Sequence, residues 1–123
     1  MRLRHRSRLI EVLQRAETGP IMAEADFERQ LVAPTVKRLV KEFGIQFDPQ
    51  KVVPDDDDLA DRLFAAGLKF ATEVGLFCQD TSRRIVWTQP ELVDGLRYCP
   101  SEAILGAGND SVTVLARRPE DKV

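Results

Sequence analysis

The 123-residue chain is long enough for one domain with a modest core. Its 43% hydrophobic and 31% charged residues are an ordinary soluble composition. No apolar run approaches the roughly 20 residues that cross a bilayer, and no signal-peptide core follows the basic start, so a cytoplasmic location is expected and a membrane is not. A net charge of −2 gives no reason to expect nucleic acid. The charge is uneven: residues 1–44 hold nine Lys/Arg against six Asp/Glu, residues 45–82 three against eight, and residues 83–123 six against six.

Residues 1–8, MRLRHRSR, hold four arginines and His5, and read as a disordered basic arm. His5 has no second histidine or acidic cluster beside it and takes no role. Leu9, Ile10, Val12, Leu13 and Ala16 give a short helix that Gly19-Pro20 ends. A second helical piece carries Met22, Phe27 and Leu31. Pro34 opens a third at its first turn, with Val36, Leu39, Val40 and Phe43 inward, Lys37, Arg38 and Lys41 solvated, and Gly44 as the stop. Residues 45–54 are expected to be extended, anchored by Ile45, Phe47, Val52 and Val53.

The central helix, about residues 55–75, is the clearest element. Pro54 biases the preceding chain to extended structure, and Asp55–Asp58 lie where a helix start favours caps and negative charge. Leu59, Leu63, Ala66, Phe70 and Val74 recur at core-facing spacing, Phe64, Leu68 and Ala71 widen that stripe, and Gly75 closes the helix. Gly67 in mid-helix costs roughly 1 kcal/mol against alanine, which suggests a close backbone approach. Four consecutive aspartates splay around the axis rather than converge on a metal.

Leu76-Phe77-Cys78 reads as a short strand, Asp80-Thr81-Ser82 as a turn, and Arg84–Thr88 as a second strand. Thr88, Pro90 and Glu91 form a capping box for a helix from about 89 to 97, with Leu92, Val93 and Leu96 inward and Pro100 at its end. Leu105 to Asp110 contains a glycine pair, but a strand follows it, so a hairpin turn at Asn109-Asp110 is expected rather than a phosphate loop. The strand 112–116 has two candidate partners, 85–88 and 103–105. A polar tail ends the chain. Cys78 and Cys99 match no C-x-x-C pattern and read as reduced thiols. The expected fold is α+β: short helices around the central one, with a small antiparallel sheet, in a single domain over 1–123. No catalytic, cofactor or metal set can be assembled from these residues.

The strings PDDDDLADRLFAAG, VGLFCQDTSRRIVWTQPEL and ILGAGNDSVTVLARRPEDK, in this order, resemble the N-terminal region of the monomethylamine methyltransferases, the pyrrolysine-containing methylamine:corrinoid protein methyltransferases. That pattern has an acidic helix, a G-(I/L)-(F/Y)-C-x-D-T-x-R strand turn, a (F/Y)-T-x-x-E helix start and an L-G-x-G-x-D-x-V hairpin. Gly75, Cys78, Asp80, Thr81, Arg83 or Arg84, Thr88, Glu91, Gly106, Gly108, Asp110 and Val112 sit at those places; Trp87 and the arginine-rich start depart from it. The resemblance implies a (β/α)8-barrel enzyme whose pyrrolysine lies beyond this segment. It also implies methyl transfer from monomethylamine to Co(I) of a corrinoid carried by a partner protein, in methanogenesis. No cofactor is implied within these residues. On that reading the chain is a structural or oligomerising N-terminal portion, inactive alone, expected to form a homo-oligomer and a candidate to meet the corrinoid protein. Two other readings stay open: a free-standing interaction module that binds a methyltransferase subunit or another partner, and an unrelated α+β regulator.

Overall fold

The computed structural model describes residues 2–117 and Asp121, with backbone alone for residues 2–6. The chain divides into two compact units, Met1–Leu92 and Val93–Val123, where one domain was expected. The fold is α+β, as expected. In the first unit, helix α1 (Arg2–Thr18) already includes the arginine-rich start that was expected to be disordered. Helices α2 (Glu24–Asp26) and α3 (Ala33–Glu42) are joined by a π-helical stretch, Phe27–Val32. Helix α4 (Asp57–Val74) precedes strands β1 (Leu76–Cys78) and β2 (Arg83–Ile85). Helix α5 (Gln89–Leu96) carries the boundary between the units.

The helical run from 24 to 42 is continuous, although Pro34 was read as a new start. Proline has no N–H and crowds the carbonyl four residues back. The chain answers by widening to a π-turn just before it, in which the Ala33 N–H reaches the Glu28 carbonyl five residues back. Helix α4 starts as its sequence dictates: the Asp56 carboxylate accepts from the Leu59 N–H at 3.0 Å. Asp58 pairs with Arg62 and Asp55 with Lys51, both at 3.0 Å. Gly75 ends the helix at φ +73°.

Strands β1 and β2 pair antiparallel, Leu76 with Ile85 and Cys78 with Arg83. The expected strand through Val86 and Trp87 stops at Ile85. Residues 19–22 run along the free edge of β2. Ile21 bridges Arg83, the Arg84 N–H donates to the Pro20 carbonyl at 2.9 Å, and the Met22 N–H donates to the Ser82 carbonyl at 3.0 Å. Ala16, Phe27, Leu39, Ala66, Val74 and Ile85 are the buried apolar residues. Phe27 and Phe77 stack with ring centroids 5.1 Å apart.

Several expected core positions lie outside. Leu63 is 47% exposed and Phe64 60%, so the inner face of α4 is Ala66, Phe70 and Val74. Helix α4 is apolar on more than one side, and contact with α3 decides which side turns in. Val36, Val40 and Leu96 are exposed too. Of the expected anchors in 45–54, Phe47 is 85% and Val52 96% exposed, Val53 is also exposed, and Ile45 is half-buried. Arg38, read as a solvated face, pairs with Glu42 at 2.9 Å and with Glu73 of α4. Lys69 joins Glu42 to the same network, and with Arg38 it holds the Glu42 carboxyl below the usual range.

In the second unit, β3 (Glu102–Leu105) and β4 (Val112–Leu115) form an antiparallel hairpin with Ala103 opposite Val114 and Leu105 opposite Val112. This settles the choice of partner for β4. Positive φ falls on Gly106 and Gly108 rather than on Asn109-Asp110, which lie in a short 3-10 turn, Gly108–Asp110. The tail, apart from Arg117 and Asp121, lies outside the described residues.

Gly67 has open space around its Cβ position, so no close approach explains it among the described residues. The close approaches are elsewhere. A Cβ on Gly19 would lie 2.0 Å from the Arg84 carbonyl oxygen, and one on Gly75 2.3 Å from that of Ile85. Gly19→Ala should therefore cost about 3 kcal/mol, the upper end of overpacking, whereas Gly67→Ala should gain about 1 kcal/mol. Urea unfolding of the two variants measures both; equal effects of one sign would contradict this placement.

The first unit is closed by a clasp at α5. The Thr88 N–H and hydroxyl both donate to the Glu91 carboxylate at 2.8 Å, completing the capping box. Arg15 of α1 pairs with the same carboxylate, donates to the Val86 carbonyl at 3.1 Å and lies over the Trp87 ring at 5.7 Å. Arg15, then Thr88, pull the Glu91 carboxyl from its ordinary 4.5 to about 2. A depressed carboxylate stabilises the fold above its ordinary value and loses that contribution as pH falls through the folded one. The pair is more than a third exposed, so screening limits its worth. Glu91→Ala should cost about 1–2 kcal/mol at neutral pH. That cost should shrink between pH 4.5 and about 2 in urea melts run across pH; a cost independent of pH over that window would refute the clasp.

Candidate functional site

The residues that seemed closest to chemistry turn out to build the fold. The aspartates at the start of α4 cap it and pair along it. Among the described residues no group of three His, Cys, Asp or Glu is placed to hold a metal. Cys78 is half-buried, Cys99 exposed, and both are free thiols. The His5 side chain lies outside the described residues. The glycine pair at 106 and 108 makes a hairpin loop, as expected, because a strand follows it.

The turn residues between β1 and β2 act the same way. The Thr81 hydroxyl donates to the Ala16 carbonyl at 2.5 Å, tying the turn to α1. Arg83 donates to the Gly19 carbonyl at 2.6 Å. Arg84 donates to the carbonyls of Val74 at 3.1 Å and Glu73 at 2.9 Å, satisfying the open end of α4. Arg62 does this for α3, donating to Phe43 at 3.0 Å and Gly44 at 2.6 Å. Neither arginine cap was anticipated, nor was the part played by Arg15. Each links positions 10 to 76 residues apart, and local spacing carries no trace of such links.

What remains for function is surface. In the first unit, Leu63 and Phe64 of α4 are exposed, as are Phe47, Val52 and Val53 of the connector before it. A groove of about 740 Å³ runs there between residues 44–56 and α4, lined by Ile45, Phe47, Leu59 and Leu63. Leu9, Ile10 and Leu13 of α1 are exposed as well. In the second unit, pairing puts Ala103, Leu105, Val112 and Val114 on one face of the hairpin, all apolar and all exposed. A two-stranded hairpin is marginal in water without a packing partner, and apolar faces of this extent are unusual on a monomer. No helix among the described residues is long and apolar enough to cross a membrane.

A family model, monomethylamine methyltransferase MtmB, matches residues 8–123. Monomethylamine methyltransferase MtmB1 of Methanosarcina barkeri is 31% identical over 108 residues, which is 88% of this chain and 23% of the relative. MtmB of Methanosarcina mazei is 32% identical over the same shares. The crystal structure of the Methanosarcina barkeri MtmB superposes with a TM-score of 0.78 at 28% identity, over 86% of this chain and 23% of that one. A hydroxylamine complex of MtmB gives the same figures. The chain thus spans about a quarter of the length of these relatives. With nearly its whole length matched by the family model and its fold shared with the solved enzyme, the chain belongs to the monomethylamine methyltransferase MtmB family.

Proposed function

We propose that this chain is the N-terminal structural and assembly portion of a monomethylamine:corrinoid protein methyltransferase. The complete enzyme, a (β/α)8 barrel acting in the cytoplasm, passes the methyl group of monomethylamine to the Co(I) corrinoid of a partner protein, through an adduct at pyrrolysine. That chemistry belongs to residues beyond this segment. The part played by these residues is to present rigid apolar faces to the rest of the enzyme, to further copies and to the corrinoid protein.

The exposed apolar surface supports this reading. Among the described residues only six apolar side chains are buried, while large ones such as Leu63, Phe64, Phe47, Leu105 and Val112 are exposed. Exposed apolar groups on an otherwise well-capped scaffold are what an interface requires.

Light scattering of the chain, with and without a corrinoid protein of methylamine metabolism, tests the proposal. The expected result is a self-associated species or a complex, and a Leu63→Asp/Phe64→Asp variant should return the mass to 13.9 kDa. A parent chain that stays at 13.9 kDa and binds nothing would favour a free-standing module instead. In a cobalt methylation assay the chain alone should be inactive, and transfer by the chain alone would refute the structural role.

A further inference from the structure

The β3–β4 hairpin leaves one sheet edge open and unguarded. Sheet edges are commonly protected by charge or proline, because their unpaired N–H and C=O groups accept another strand. The β3 side has Pro100 and Glu102. The β4 side has nothing of the kind: from Ser111 to Ala116 the chain carries neither charge nor proline, and Val112, Val114 and Leu115 are exposed. Among the described residues no further strand pairs with β4. The Ala116 N–H donates to the Ser101 carbonyl at 2.8 Å, which marks a hydrogen-bonded pair at that rung. In an antiparallel ladder such pairs alternate with non-bonded ones. Val114 opposite Ala103 and Val112 opposite Leu105 therefore direct their backbone groups to β3, whereas Thr113 and Leu115 turn theirs to the open edge.

The pattern of β4 is its own complement. Asp110 stands before the strand and Arg117 after it. Antiparallel pairing of two copies brings acid toward base at both ends, whereas parallel pairing sets like charges together. Centred on Thr113, such a pair places Thr113 opposite the second copy's Thr113 and Val112 opposite its Val114, so β-branched residues face one another across the seam. The two Thr113 residues exchange two N–H···O bonds, and each Leu115 N–H meets the other copy's Ser111 carbonyl. The Ser111 N–H already donates to the Gly108 carbonyl at 3.3 Å and is not needed. The product is a four-stranded sheet with Ala103, Leu105, Val112 and Val114 of both copies on one face, which has the stability a lone hairpin lacks. We propose that β4 is an edge-pairing site for the β4 of a second copy, antiparallel and in register about Thr113. This inference rests on the assembly role proposed above: the α4 face anchors association, and the short seam adds a contact that does not hold copies together alone.

Thr113→Cys in a Cys78→Ser/Cys99→Ser background tests the seam. Mild oxidation should convert most of the chain to a disulfide-linked dimer, because hydrogen-bonded antiparallel partners lie about 5.5 Å apart at Cα, within disulfide range. Val112→Cys in the same background faces a valine and should cross-link about tenfold more slowly. Thr113→Pro removes an outward N–H and no bond within the hairpin. It should weaken self-association about tenfold and leave the unfolding midpoint of the monomeric Leu63→Asp/Phe64→Asp background unchanged; where that midpoint shifts, the cross-linking contrast alone decides. Equal or absent cross-linking at the two positions in a chain that still self-associates would overturn the seam and leave the assembly role standing. So would self-association untouched by Thr113→Pro. A parent chain that stays monomeric would overturn both.

Discussion

The fold of the first unit depends on how closely the backbone of β2 is approached from both sides. Gly19, at the end of α1, and Gly75, at the end of α4, lie against the carbonyls of Arg84 and Ile85 at distances that leave no room for a Cβ. That contact brings the two long helices to one short strand. It also places the Arg83 and Arg84 side chains where they can satisfy the carbonyls of Gly19, Glu73 and Val74. With two alanines among its six buried apolar residues, the core is small. Backbone proximity and charge-assisted hydrogen bonds therefore carry a larger share of specificity than packing volume does. The Arg15–Glu91–Thr88 clasp extends the same logic to α5.

What was legible in the sequence was local chemistry. A cap for α4 among Asp55–Asp58, which the fold places at Asp56, Gly75 as its stop and the Thr88–Glu91 box all act within a few residues of themselves, so spacing alone locates them. The β1 turn and the strand after the glycine pair were legible for the same reason. Choices made by tertiary contact were not. Helix α4 offers two apolar sides, and only the position of α3 determines that Ala66 turns in while Leu63 and Phe64 stay out. Gly67 read as a close approach and Gly19 as a helix end, yet the first has open space and the second has a carbonyl against it. Pro34 reads as a helix start because proline favours first turns. A π-turn, which costs poorer hydrogen-bond geometry over a short stretch, lets the helix continue through it.

The arginines show the limit most clearly. Arg15, Arg38, Arg62 and Arg84 look like ordinary surface charge in a chain with 31% charged residues. In the fold each ends on a carbonyl or carboxylate of another element. The capping contact of such an arginine leaves no mark in the local pattern, even where, as at Arg62, a neighbouring acid pairs with it too. The folded backbone alone reveals it.

The residues that carry the family resemblance are largely the ones that make this scaffold. Gly75, Thr81, Arg83, Arg84, Thr88, Glu91, Gly106 and Gly108 serve turns, caps and close approaches. The resemblance is therefore a statement about shape, which the shared fold of the solved enzyme bears out. Shape without reactive groups acts on function through what it holds in place. It leaves apolar faces on α4, on the connector and on the β3–β4 hairpin, and the one on α4 is carried by a capped helix packed on α3. A surface backed by capped helices and paired strands loses little conformational entropy on association. On the proposed reading, preorganisation of that kind is what this scaffold contributes to the enzyme.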